Sequence, residues 1–151
     1  MLFLNLYGAK NKVPTSFNMN KQLNKMKKLA WKIARERKKE RDVVAILLFG
    51  SVAKRTPHPE SDIDLVLIKD SQENSIEREQ VVEEKIKIDL WKHSSSFYEQ
   101  LFEKNWSPEK MFQYSLFLNI LQECEILYDK DSRFNRYKKD ALKWKWSTKC
   151  K

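Results

Sequence analysis

Residues 47–68 read LLFGSVAKRTPHPESDIDLVLI. The stretch begins inside the apolar run Val43-Val44-Ala45-Ile46-Leu47-Leu48-Phe49, whose length suits a central strand better than a helix. Gly50-Ser51 ends that run, ten residues follow, and Asp62 and Asp64 then alternate with Ile63 and Leu65 on a second strand. Side chains at i and i+2 of a strand share a face, roughly 7 Å apart at the backbone. The two carboxylates therefore look one way, while Ile63, Leu65 and Leu67 face a core behind them.

Two bare carboxylates this close repel each other, and hard cations remove that penalty. Mg²⁺ takes oxygen ligands, often only one or two carboxylates, and keeps water and substrate phosphates in its shell. Two ions about 3.5–4 Å apart can clamp the attacking and leaving oxygens of a nucleotidyl transfer. A third acid comes from Lys85-Ile86-Lys87-Ile88-Asp89-Leu90-Trp91, an alternating run that predicts a half-buried strand with Asp89 opposite Ile86, Ile88 and Leu90. Beside the first acids, Asp89 could ligand a metal or take the proton of an incoming hydroxyl. Gly50 lets the chain turn sharply and a phosphate approach. Ser51 adds a hydroxyl and an N–H, and Val52-Ala53-Lys54-Arg55 could open a short helix whose start favours anions. Lys54 and Arg55 are candidate phosphate contacts, weighed against ordinary solvated cations.

These residues resemble the DNA polymerase beta-like nucleotidyltransferase superfamily, whose pattern is an apolar strand, Gly-Ser, a spacer near ten residues, Asp-x-Asp on a strand and a later acid. Gly50, Ser51, Asp62, Asp64 and Asp89 match it position by position. The chain looks most like the minimal nucleotidyltransferases, over about residues 43–128, with Ile126-Leu127-Tyr128-Asp129 also similar to that group. The resemblance implies an α+β fold, a small mixed sheet flanked by an N-terminal helix and C-terminal helices. It implies two Mg²⁺ ions, Mn²⁺ being the substitute, on Asp62, Asp64 and Asp89. It also implies transfer of a nucleoside monophosphate from a triphosphate, ATP before others, to an acceptor. Minimal members often neutralise a small helical partner toxin, so an antitoxin with a protein acceptor is the leading expectation. A small-molecule acceptor of the antibiotic type and a non-catalytic binding module are the alternatives. Many members carry Ala-Arg-Gly after the turn, where this chain has Ala53-Lys54-Arg55.

At 151 residues the chain is long enough for one core. The expected single domain divides into a basic helical extension (1–41), a catalytic sheet core (42–92) and C-terminal helices with a basic tail (93–151). Helices are predicted from Asn18 or Asn20 to about Arg41, over Ser96–Lys104, from Ser107-Pro108-Glu109 with Met111, Phe112, Leu116, Ile120 and Leu121 inward, and from Asp131 to about Lys143. Ser71 to Glu84 reads as a charged connection. His58 reads as a loop residue, and Ser94-Ser95-Ser96 after His93 as helix caps rather than nucleophiles. Cys124 and Cys150 are too isolated for a disulfide framework. No run is apolar enough for a membrane span, and Met1–Tyr7 lacks the features of a secretory signal, so a cytoplasmic setting is expected. Net charge is +10 over residues 1–41, −7 over 42–128 and +6 over 129–151. The basic ends could hold nucleic acid or an acidic partner, against the plainer reading of a solvated helix face. Trp144 and Trp146 between lysines could stack on bases, enter a partner's groove or fold back on the N-terminal helix. Oligomeric state stays open, a homodimer among the options.

Overall fold

The computed structural model describes residues 17–103 and 107–144. Strand β1 (Val43–Phe49) sits inside a five-stranded sheet with β2 (Ile63–Lys69), β3 (Ile76–Glu83), β4 (Ile86–Ser94) and β5 (Glu125–Asp129). The order is β3-β4-β2-β1-β5. Only β2 and β4 run parallel, and the other neighbours are antiparallel. This is the mixed α+β sheet expected.

Helix α1 (Met19–Arg37) covers one face. Its stripe of Leu23, Met26, Leu29, Ala30 and Ile33 packs against Ile46, Leu48, Ile63, Leu65 and Leu67. Asn18 caps it, accepting from the Lys21 N–H at 3.1 Å. It stops at Arg37, short of the expected Arg41, with turns leading into β1. The basic helix lies over the acidic sheet and is partly neutralised by it: Lys27 pairs with Glu125 at 2.9 Å, Lys32 with Glu83 at 2.6 Å, and Arg37 with Glu79 at 2.9 Å. Part of the charge asymmetry along the chain is thus an internal complementarity.

The second face is closed by α3 (Ser95–Glu99) with a 3₁₀ turn (Gln100–Phe102), α4 (Pro108–Glu123) and α5 (Arg133–Leu142), following the one-turn α2 (Gly50–Ala53) in chain order. Phe97, Tyr98, Phe117, Leu121 and Phe134 pack there on Leu47, Val66 and Ile68. Trp144 packs on this face, across the sheet from the N-terminal helix, while Trp146, Cys150 and residues 1–16 lie outside the described residues.

Several expectations need correction. The segment Ser71–Glu84 contains an edge strand, β3, joined to β4 by a two-residue turn in which Glu84 (φ 53°) and Lys85 (φ 66°) are both left-handed. Such turns usually announce themselves with Asn-Gly, and charged edge strands resemble loops in sequence. Strand β5 joins the sheet from the part assigned to C-terminal helices, so the sheet core extends past residue 92. In α4, Phe112 (90% exposed) and Leu116 (52%) point outward, and Tyr114, Phe117 and Leu118 turn inward instead. Apolar residues surround that helix, so spacing alone does not choose its buried side. Helix α5 begins at Arg133, where the Asp129 carboxylate accepts from the Phe134 and Asn135 N–H groups. The Ser94–Ser96 hydroxyls do not cap α3. They tether the preceding loop: the Ser75 N–H donates to Ser94 Oγ at 2.9 Å, the Ser71 N–H to Ser95 Oγ at 3.2 Å, and Ser96 Oγ to Asn74 Oδ1 at 2.5 Å.

Candidate active site

Register builds the site. Phe49 pairs with Asp64, Asp64 with Asp89, and Asp89 with Gln80, so one row of partners crosses four strands. Parallel pairing of β2 with β4 sets Asp64 and Asp89 side by side, and Asp62 precedes Asp64 by one strand repeat. The neighbours of opposite parity, Ile63, Leu65, Ile88 and Leu90, are buried beneath α1. The alternation seen in the sequence is therefore a real division between core and site.

Gly50 follows β1 at φ +77°, a left-handed conformation that glycine adopts freely. Its second property is space. A Cβ at residue 50 would stand 2.4 Å from Asp64 Oδ2, so the acid occupies room that only glycine leaves. Ser51 Oγ donates to Ser61 Oγ at 3.2 Å, and Ser61 Oγ also accepts from the His58 N–H at 2.8 Å. These bonds tie the Gly-Ser turn to the loop that delivers Asp62. His58 Nδ1 accepts from the Glu60 N–H within that loop. Asp62 borders an open groove with Ser61, Lys85 and Lys87.

The acids are electrostatically uneven. Burial pushes the Asp64 carboxyl up to about 6, and the neighbouring charges of Asp89 and Asp62 add to the rise, while Arg78 opposes it. Asp89 is 6% exposed. Its Oδ1 accepts from Arg78 Nε at 3.2 Å, Arg78 Nη2 at 2.9 Å and Gln80 Nε2 at 2.9 Å. Arg78 and Gln80 belong to β3, the strand hidden in the charged connection, and sequence reasoning missed them. The available signal was the alternation of Arg78 and Gln80 with Glu77 and Glu79 ahead of Val81-Val82.

The two candidate phosphate cations are not drawn into the acid row. Lys54 is exposed and pairs with Glu123 at 3.1 Å. Arg55 is exposed and holds a left-handed backbone, φ 63°.

The donor set bears on a divalent ion. All three acids offer oxygen, which suits Mg²⁺ or Mn²⁺. Among the described residues no three Asp, Glu, His or Cys side chains are gathered as a ready metal cluster. Asp62 and Asp64 fit an ion that completes its shell with water and phosphate, and a carboxylate raised first by burial and then by its acidic neighbours is one that a cation would relieve. Among the described residues, no helix is long and apolar enough to cross a membrane.

Comparison with known proteins agrees with this geometry. The family described as "Polymerase beta, Nucleotidyltransferase" matches residues 31–133. No curated protein matches the chain by sequence. Among solved structures, a nucleotidyltransferase-like protein from Exiguobacterium sibiricum 255-15 superposes with a TM-score of 0.57 at 11% identity. The match covers 78% of this chain and 38% of that protein, and at such identity it speaks to the fold alone.

Proposed function

This chain belongs to the polymerase beta nucleotidyltransferase family, and from that premise we propose that it moves a nucleoside monophosphate, AMP from ATP first among the candidates, to an acceptor on a partner protein. The observation that carries the reading is the acid row beside Gly50: Asp64 and Asp89 paired in register, Asp64 seated in the space the glycine leaves. A carboxyl pushed up to about 6 by burial and like charge is a poor design for stability and a good one for receiving a cation.

In this reading Asp62 and Asp64 hold Mg²⁺. The ion would supply charge neutralisation at the triphosphate and polarise the phosphorus under attack. The chain's own groups do the remainder. Gly50 keeps the backbone low enough for phosphate oxygens to reach the turn, and the Ser51 hydroxyl, held by Ser61, faces them. Asp89 takes the proton of the acceptor hydroxyl. An antitoxin role toward a helical partner follows from the resemblance to minimal members and is proposed with it.

The test uses α-phosphate-labelled ATP with a co-expressed partner or cell extract as acceptor. Asp62→Asn and Asp64→Asn should each lower label transfer by at least about a thousandfold, with the fold intact by circular dichroism. Transfer at the wild-type rate by either variant would sink the assignment.

A further inference from the structure

Asp89 is the most deeply held of the three acids, and one of its oxygens is already taken. Arg78 reaches Oδ1 through both Nε and Nη2, and Gln80 adds a third donor to the same atom. Three donors fill the acceptor capacity of one carboxylate oxygen. The guanidinium also lies over the Trp91 ring, 5.0 Å from its centroid, an arrangement that holds its plane. Yet Arg78 stands on an edge strand with its side chain 47% exposed, against 9% for Asp89. A clamp of this kind can open by rotation of one surface side chain, leaving the sheet and the buried carboxylate in place.

We propose that Arg78 is a substrate-operated latch on Asp89. Closed, it occupies Oδ1 and so withholds that oxygen of the third acid from a metal ion. The phosphates of an arriving nucleotide are stronger anionic partners and suit the same planar fork. They draw Arg78 away, free Asp89 for the metal and the acceptor hydroxyl, and gain a clamp in exchange. Without nucleotide, a divalent ion meets Asp62 and Asp64 together with an Asp89 whose charge is spent on Arg78. The inference rests on the metal-dependent nucleotidyl transfer proposed above and adds an order of events: nucleotide first, activation of the acceptor afterwards. Arg78 is thus a positioning residue that governs when Asp89 becomes available.

The test reads Mn²⁺ binding by the full chain, from the electron paramagnetic resonance signal of free Mn²⁺, with and without α,β-methylene-ATP. Arg78→Ala should tighten nucleotide-free Mn²⁺ binding about tenfold, as expected if the closed latch leaves Asp89 available a tenth of the time. Adding Asp89→Asn should cancel that gain, and Arg78→Ala should weaken binding of the nucleotide analogue. Arg78→Lys, which keeps the charge without the fork, should fall between, and it serves if the alanine variant folds poorly. An unchanged Mn²⁺ affinity in Arg78→Ala, with Asp64→Asn abolishing binding, overturns the latch alone. A gain that survives Asp89→Asn also overturns it. Mn²⁺ binding retained in Asp64→Asn overturns the site reading itself, and the latch with it.

Discussion

Asp89 and His93 stand four residues apart on the same face of β4, and both are nearly excluded from water, at 6% and 4% exposure. Their surroundings are opposite. His93 Nδ1 shares a hydrogen bond with Tyr98 Oη at 2.8 Å, stacks on the Tyr98 ring and meets Phe117 edge-on. Burial pushes the imidazole down to about 4, so it sits neutral in an aromatic pocket. The neighbouring serines spend their hydroxyls on the loop before β3. At the Asp89 end, the Arg78 guanidinium bonds Asp89, and Asp64 is pushed up to about 6 by burial and by the charges of Asp89 and Asp62, against the opposing charge of Arg78. Buried polarity that is neutral and fully bonded builds a fold. Like charge gathered at the edge of a core works against folding, which is the pattern of a site rather than of a scaffold.

The hardest break is Gly50→Ala. The new methyl needs the position of Asp64 Oδ2, and a displacement of about 1 Å in a reacting group can lower turnover about a hundredfold. A left-handed alanine adds roughly 1–2 kcal/mol of destabilisation. Expected together are at least about a hundredfold loss of label transfer and a lowered urea midpoint. Near-normal transfer would show that the acid tolerates the crowding.

A pH series separates His93 from the acid row by sign. His93 titrates near 6.5 unfolded and about 4 folded, so between these values the unfolded chain binds more protons. Its contribution is present at neutral pH and is lost as pH falls from 6.5 toward 4, by about 3 kcal/mol at most. Asp64 does the reverse. Its folded carboxyl keeps a proton up to about 6 where the unfolded one releases it near 3.8, so its contribution is lost as pH rises through that window. Partial screening by solvent makes it the smaller of the two. Urea unfolding of wild type should therefore weaken modestly toward pH 4, Asp64→Asn more steeply, and His93→Gln should reverse the slope. Parallel profiles for wild type and Asp64→Asn would remove the case for a strained carboxylate.

Smaller still is Ser95→Ala. Its hydroxyl accepts from the Ser71 N–H, and the loss should cost about 1 kcal/mol without moving Mn²⁺ affinity. A change in metal binding would couple the two ends that the geometry separates.

Much of the site could be read in the sequence because it lies on strands of regular alternation. Val43–Phe49 is the strand predicted to the residue, and Asp62, Asp64 and Asp89 alternate with residues that are buried under α1. What escaped was β3, and with it Arg78 and Gln80, because its turn uses Glu84-Lys85 and its face is charged. The inward side of α4 escaped for the opposite reason, too many apolar positions rather than too few. Which partners an acid meets across strands depends on register, and register is a property of the assembled sheet.

Two left-handed residues, one opening α2 and one just past its end, complete the comparison. Gly50 and Arg55 have φ +77° and 63°, so conformation alone would favour glycine at both, as the pattern of related sequences has it. At Gly50 an added side chain would meet Asp64; Arg55 is exposed. Arg55→Gly would relieve about 1 kcal/mol of backbone strain and lose nearly as much through a freer unfolded chain. Its stability should stay within about 1 kcal/mol of wild type and its transfer rate within about threefold. If glycine at 55 instead lowered transfer tenfold with an unchanged unfolding midpoint, the guanidinium would be at work on the nucleotide, as the sequence reading of Arg55 as a candidate phosphate contact has it.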